Sequence, residues 1–343
     1  MILYLSLLLF SFIVNSALIV PFISFLYRIK FYRRRQITKD FLENRAKIFD
    51  KLHRKKAGTP VGGGILILLS TIIFYLILIP GLKLSGIHVS SCYPANEEIN
   101  VIFFTLISFG LLGLYDDLMK FFNVKKTGFF GLRMRHKFIL QVILGTIIGL
   151  LLYINLGIDF INIPFYGLVR LGWLYVPLAT FIVVAFANAF NITDGLDGLS
   201  SGLLMIFLFA FWIISFNQLD SLLSILISLW IGSVLAFLYF NTYPARIMLG
   251  DVGALAFGAA MAVIGLLTGK IVAFLVIGAP FIIELLTSFL QIMSKKFRKK
   301  KLFAIAPFHL WLQNKGWEEP KIVMRAWLAG IIFAVLGLWL SLL

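Results

Sequence analysis

Ten stretches of nearly unbroken apolar residues, each close to 20 long, leave this chain very few folds to choose from. They run about 2–27, 61–80, 99–115, 138–157, 173–190, 198–216, 221–240, 252–268, 270–293 and 322–343. A helix of ~20 apolar residues matches the ~30 Å hydrocarbon core of a bilayer, where only helices and closed barrels satisfy their own backbone polar groups. Composition agrees: 61% of residues are hydrophobic, 13% are charged and the mean hydropathy is +0.99. Soluble domains are about 45–50% apolar and about 25% charged. The expectation is an all-α, polytopic integral membrane protein of about ten transmembrane helices, with residues 1–343 forming a single membrane domain. The eighth and ninth spans are divided only by Thr268-Gly269-Lys270. The first span lacks a basic n-region and is too long for a cleavable signal peptide, so it reads as a true first helix. A single cysteine, Cys92, excludes an intramolecular disulfide, and no soluble domain, internal repeat or low-complexity tract is evident.

Charge orients the bundle. Residues 28–60 carry 12 Lys and Arg, 116–137 carry 6, 241–251 carry 1 and 295–321 carry 8, together 27 of the 31. The remaining four are Lys83, Arg170, Lys270 and Arg325. The positive-inside rule puts the rich loops in the cytoplasm and both termini outside. The net charge of +16 then belongs to the cytoplasmic face, where anionic lipid headgroups account for it better than nucleic acid does. Residues 38–56 alternate charges with Phe41, Leu42, Ile48, Phe49 and Leu52, the pattern of an amphipathic helix on the membrane surface.

On the same predicted face lie five of the 15 acidic residues: Asp116 and Asp117 in GLYDDLMK, Asp194 and Asp197 in NAFNITDGLDGLS, and Asp251 in MLGDVGALAFG. A carboxylate at a membrane boundary is costly and usually answers to a cation or a substrate. Asp116 and Asp117 close the third span, where the helix dipole disfavours negative charge, and Lys120 stands one turn on. Asp251 also fits a plain helix N-cap, and Asn188 and Asn191 also fit interhelical hydrogen bonding. Capping accounts poorly for the run Asn188-x-x-Asn191-x-x-Asp194-Gly-x-Asp197-Gly, whose oxygens and flexible glycines suit a polar ligand or a hard cation such as Mg²⁺. In KLHRKKAGTPVGGG, Lys55, Lys56 and Thr59 precede a glycine-rich helix start, a phosphate-friendly setting that is not a Walker A loop. His309, in IAPFHLWLQNKGWEEP, reads either as a proton carrier toward a phosphate or as a structural histidine beside Trp311. Glu284, inside the ninth span, reads at least as well as a hydrogen-bonded structural carboxyl as a functional one.

These segments resemble the polyprenyl-phosphate N-acetylhexosamine-1-phosphate transferase superfamily, and within it the bacterial phospho-N-acetylmuramoyl-pentapeptide transferases. The resemblance runs nearly end to end, through KKAGTPVGGG (55–64), LGLYDDLMK (112–120), NAFNITDGLDGLS (188–200), NTYPARIMLGDVGALAFG (241–258) and NKGWEEPKIVMRAW (314–327). It implies ten helices in the bacterial plasma membrane and a Mg²⁺-dependent cytoplasmic site. The implied reaction moves phospho-N-acetylmuramoyl-pentapeptide from UDP to undecaprenyl phosphate, with lipid I and UMP as products of this step in peptidoglycan synthesis. A homodimer is a further implication. Asp251 and Asp117 would ligate Mg²⁺, and Asp116 and Asp117 would handle the lipid phosphate, one as base. Asn188, Asn191, Asp194, Asp197, Asn241 and Met248 would line the nucleotide-sugar cleft. Lys55, Lys56, Thr59, Lys120 and Lys137 would meet phosphate or uridine groups, and His309 would join the catalytic set.

Two departures stand out. The family usually carries three consecutive histidines where this chain reads Phe308-His309-Leu310-Trp311, and Met248 sits where an aromatic is expected to stack on uracil. The alternatives are a sibling transferase that moves another UDP-N-acetylhexosamine 1-phosphate and, further off, a transporter, whose carboxylates would sit at the midplane instead.

Overall fold

The computed structural model describes residues 1–32, 56–121 and 134–343. The expected surface helix over 38–56, Lys55 and His53 therefore lie outside the described residues, apart from Lys56. In chain order the helices are α1 (Ile2–Arg28), α2 (Gly63–Leu84), α3 (Ala95–Phe121), α4 (Met134–Ile154), α5 (Tyr175–Thr193), α6 (Leu199–Asn217), α7 (Ser221–Asn241) and α8 (Asp251–Leu267). They continue as α9 (Ile271–Ile277), α10 (Ala279–Met293), α11 (Phe308–Asn314) and α12 (Glu319–Ser341). A small antiparallel hairpin, β1 (Phe160–Ile163) and β2 (Gly167–Arg170), sits between α4 and α5.

Among the described residues, eight helices are long and apolar enough to cross a membrane; α9 and α10 together would make a ninth. Helix α8, at 17 residues, is shorter. Each of the ten expected spans has a helix at its place, and the chain does break at Thr268–Lys270 between the eighth and the ninth. The ninth span departs from expectation. It is bent by 72° between α9 and α10, where Gly278 is followed by Pro280 in the first turn of α10. Proline has no backbone N–H to donate and its ring clashes with the preceding turn, so the break falls there. The hairpin is a second departure; its strands are only four residues long, flanking Pro164-Phe165-Tyr166.

The centre of the bundle is α7 and α8. All but one residue of α8 is buried, and Trp230 of α7 is 1% exposed. Helix α8 reaches that position because Gly253, Ala254, Ala256, Gly258, Ala259 and Ala260 give it a narrow cross-section, the device by which membrane helices approach closely without a hydrophobic driving force between them. Short polar side chains stitch the layers: Ser11 Oγ donates to the Leu229 carbonyl at 2.6 Å, and Thr71 and Ser233 hydroxyls meet at 3.2 Å. The outer helices α1, α2, α4 and α12 keep broad apolar faces exposed, including Ile77, Ile154 and Leu328. That is the arrangement expected of a bundle solvated by lipid.

Neighbouring helices alternate in direction, so one end of the bundle gathers the C-termini of α3, α5 and α7 with the N-termini of α2, α6, α8 and α12. The far end is tied by Ser90, whose carbonyl accepts from the Ser221 and Leu222 N–H groups, and by Gln218 Nε2 donating to the Thr268 carbonyl at 2.8 Å.

Candidate active site

Helix α3 runs to Phe121, so Asp116 and Asp117 stand inside its last turns and not beyond its end. Gly113, one turn earlier, lets α3 lie against the start of α8: a Cβ there would come within 2.2 Å of the Asp251 carbonyl oxygen. That close approach carries the Asp-Asp pair to Asp251. Asp251 is the first residue of α8 and Gly250 is the N-cap, so Asp251 makes no capping hydrogen bond and its carboxylate is directed elsewhere.

Lys120 Nζ contacts Asp251 Oδ2 and lies 3.0 Å from Asp116 Oδ2. Lys137, from the start of α4, lies 2.6 Å from Asp116 Oδ2 and 3.3 Å from Asp251 Oδ2. Asn191 donates to Asp251 Oδ1 at 3.2 Å. Two carboxylates and two ammonium groups from α3, α4 and α8 thus form a closed quartet whose formal charges cancel. Asp251 is further favoured by the positive end of α8. Asp117 behaves differently. It is fully buried, and its Oδ2 accepts the Val252 N–H at 3.3 Å, so it anchors the first turn of α8. Of the two neighbours, Asp116 shares the lysines with Asp251.

The second cluster forms at the turn after α5. Asp194 Oδ1 accepts from Ser200 Oγ at 2.6 Å. Burial pushes the Asp194 carboxyl up to about 6; the Ser200 hydrogen bond and Lys56 oppose the rise, and the charges of Asp251 and Asp197 add to it. Asp197 Oδ2 accepts the Ala245 N–H at 2.9 Å, and its Oδ1 lies 2.8 Å from Lys56 Nζ. Asn241 closes the same turn: its Oδ1 accepts from Gly198 N–H and Ser201 Oγ, while its Nδ2 donates to the Ile247 carbonyl.

The other expected residues fall around these clusters. Asn188 donates to Gln141 Oε1 at 2.7 Å and to the Val184 carbonyl, so it links α5 to α4. Met248 holds the Thr59 loop through its backbone: its N–H donates to the Pro60 carbonyl, and its carbonyl accepts from Gly62 and Gly63. Thr59 sits in a turn closed by its N–H to the Lys56 carbonyl at 3.3 Å. His309 is 1% exposed, with Nδ1 3.0 Å from Glu284 Oε2 and its N–H on the same carboxylate. Glu284 therefore serves as the buried partner of His309, and the ring's Nε2 faces the Asp194–Gly198 turn at Gly195. Sequence reasoning passed over Gln141, and it quoted Glu319 and Trp327 only within the segment NKGWEEPKIVMRAW without giving either a role. Glu319 Oε1 accepts from Lys56 Nζ and from Asp197 N–H, both at 2.6 Å, and Trp327 Nε1 donates to the Gly198 carbonyl at 3.1 Å.

The donor set is hard oxygen around a fixed pair of ammonium groups. Among the described residues, no three His, Cys, Asp or Glu side chains converge as a ready-made metal cage. Mg²⁺ ordinarily needs only one or two carboxylates, with waters and substrate phosphates completing its octahedron. The expected pair is Asp251 with Asp117; Asp117 has its Oδ2 on the Val252 N–H, and Asp116, which shares both lysines with Asp251, stands beside Asp251 as the second carboxylate that meets that requirement.

Residues 99–269 match the model of glycosyl transferase family 4. The phospho-N-acetylmuramoyl-pentapeptide-transferase of Bacillus subtilis (strain 168) is 37% identical over 293 residues, which is 85% of this chain and 86% of the relative. Those of Bacillus pumilus (strain SAFR-032) and Halalkalibacterium halodurans are each 34% identical, over 96% and 97% of this chain and 95% and 96% of their own lengths. With similarity sustained across nearly every helix that builds the two clusters, the chain belongs to the phospho-N-acetylmuramoyl-pentapeptide transferases.

Proposed function

We propose that this protein transfers phospho-N-acetylmuramoyl-pentapeptide from UDP to undecaprenyl phosphate, forming lipid I and releasing UMP. The observation that carries this reading is the Asp116–Lys120–Lys137–Asp251 quartet at one end of a lipid-facing bundle. A phosphate oxygen of the lipid attacks the β-phosphorus of the donor. A new P–O bond forms as the bond from the β-phosphorus to the bridging oxygen breaks, and that oxygen leaves with UMP. Both reactants are anionic, so the site must offset their repulsion and the charge growing on the leaving phosphate. Lys120 and Lys137 supply that offset, and Asp116 and Asp251 hold the two ammonium groups in place. Mg²⁺, held by Asp251 with Asp116, would stabilise phosphate charge as a Lewis acid. The Asp194–Gly198 turn, with Asn191 beside it and Lys56 and Thr59 opposite, forms the donor side.

The assay is direct: purified protein with Mg²⁺, undecaprenyl phosphate and either UDP-N-acetylmuramoyl-pentapeptide or UDP-N-acetylglucosamine, read by UMP release. UMP from the muramoyl donor alone is the expected result. Release from UDP-N-acetylglucosamine alone would assign the sibling reaction, and release from neither would remove the transferase reading.

We also place the site end of the bundle in the cytoplasm, with both termini outside and the protein in the bacterial plasma membrane. The 27-to-4 partition of Lys and Arg supports this. A cysteine probe at 295–306 is expected to be reachable only from the cytoplasm, and Cys92 only from outside. External labelling of 295–306 would invert the assignment.

A further inference from the structure

We propose that Glu319 is a positioning residue, whose carboxylate holds Lys56 and the Asp194–Gly198 turn in the geometry that receives the nucleotide-sugar donor. The proposal rests on the transfer reading above and adds to it a residue from the last helix. Glu319 is the first residue of α12, where the helix dipole favours a negative charge. Its Oε1 accepts two hydrogen bonds from different segments, Lys56 Nζ from the Thr59 loop and the Asp197 N–H from the turn after α5, each at 2.6 Å. Lys56 in turn reaches the Gly195 carbonyl at 3.1 Å and Asp197 Oδ1 at 2.8 Å. Its ammonium therefore has two hydrogen-bond acceptors and an ion-pair partner within the knot, and the lysine side chain is only 14% exposed. Two carboxylates and one ammonium share this knot, so removing Lys56 would leave like charges facing each other with little solvent to screen them.

The contact is also directional. An N–H bonded to a carboxylate is shorter and stronger than one bonded to a neutral acceptor, and this one fixes the peptide between Leu196 and Asp197. The Asp197 side chain is thereby aimed at Ala245 and Lys56, and Gly195 is held beneath His309. Trp327, eight residues or about two turns along α12, bonds the Gly198 carbonyl on the same face and fits against Gly202. Trp327 and the apolar side of α12 keep the helix docked when Glu319 is changed, so the variant can fold and still lose the clamp.

The test compares wild type with Glu319→Ala and Glu319→Gln. Amide hydrogen exchange across residues 194–202 reads the clamp without reference to turnover. In Glu319→Ala that exchange is expected to rise about tenfold, with residues 223–238 of the buried α7 unchanged. The KM for the UDP-sugar is expected to rise about tenfold, the KM for undecaprenyl phosphate to stay within about twofold, and kcat to fall less than the donor KM rises. Glu319→Gln keeps an oxygen acceptor for Asp197 N–H but loses the charge opposite Lys56, and should fall between. Unchanged exchange, or faster exchange with an unchanged donor KM, would overturn the proposal. So would a uniform loss in both KM values accompanied by faster exchange in α7, which marks general destabilisation. If wild type releases no UMP from any UDP-sugar while Glu319→Ala still loosens 194–202, the transfer reading fails and the clamp stands without its assigned role.

Discussion

Asp251→Asn is expected to lower kcat at least about a hundredfold, roughly 2.7 kcal/mol of transition-state stabilisation, with KM values little changed. The reasoning starts from charge. Asp116, Asp251, Lys120 and Lys137 form a neutral quartet. An amide at 251 is nearly isosteric but keeps one acceptor oxygen where the carboxylate has two, so it accepts from Asn191 or from the lysines and not from both, while Asp116 still holds both lysines and retains the framework. The quartet, however, gains one positive charge. Anionic substrates are attracted no less than before, which is why KM should hold. A divalent cation held as proposed would lose one of its two carboxylates beside a quartet that is now net positive, and the two ammonium groups lose one of the two carboxylates that fix their direction. The loss falls on the step in which charge develops. Mg²⁺-dependent UMP release gives kcat, and elution and thermal unfolding in detergent give the control. Wild-type kcat in a folded Asp251→Asn protein would leave Asp251 a helix-start residue without a part in the chemistry.

The bundle was legible because its physical signal is strong. A span of ~20 apolar residues has almost no alternative to a helix, so every expected span falls on a helix or, for the ninth, on a bent pair. What sequence reading missed were local breaks. The 72° bend between α9 and α10 lies inside a stretch that is apolar on both sides, so hydropathy is blind to it; Gly278 and Pro280 were the available signs. The hairpin at 160–170 is too short for a period-2 pattern to emerge.

Within the site, the meeting of Asp116, Lys120, Asn191, Asp194 and Asp251 at one end of the bundle followed from span counting, since each of their motifs flanks a span end on the same side. Side-chain direction was not legible. Adjacent residues on a helix point about 100° apart, so the doublet Asp116-Asp117 had to split its duties. Only the packing of α3 on α8 decides that Asp116 faces the lysines while Asp117 turns to the Val252 N–H. Glu319 was hidden for a different reason. It belongs to a segment whose net charge is strongly basic, and its partners, Lys56 and Asp197, lie 263 and 122 residues away. The available signs were its place in the segment NKGWEEPKIVMRAW (314–327) and the fact that Glu318 and Glu319 are the only acidic residues between 295 and 321. Asn188 shows the reverse: grouped with the site by motif, it spends its amide on Gln141 and on its own helix.

His309→Ala is expected to lower turnover at least about tenfold, or about 1.4 kcal/mol, although the two histidines that usually follow it in the family are Leu310 and Trp311 here. Leucine has no polar atom and tryptophan offers one donor and no charge, so neither replaces an imidazole. The geometry explains why one histidine can serve. Glu284 binds Nδ1 at 3.0 Å and also accepts the His309 N–H, which fixes both the ring and the start of α11. With Nδ1 engaged, Nε2 is the nitrogen turned toward the Asp194–Gly198 turn. A methyl group on residue 195 would lie 2.5 Å from that nitrogen, so Gly195→Ala should push the ring away and reproduce the loss of turnover while leaving the His309 N–H on Glu284. The pair of variants separates the ring from the fold. His309→Ala removes a buried partner of Glu284 and should cost thermal stability as well as turnover; Gly195→Ala should cost mainly turnover. His53→Ala, in a basic run outside the described residues, should do less than either, because neighbouring cations substitute for it. If His309→Ala and His53→Ala give equal, small effects in the UMP assay, His309 is a structural partner of Glu284 and the donor phosphates are met by the lysines alone.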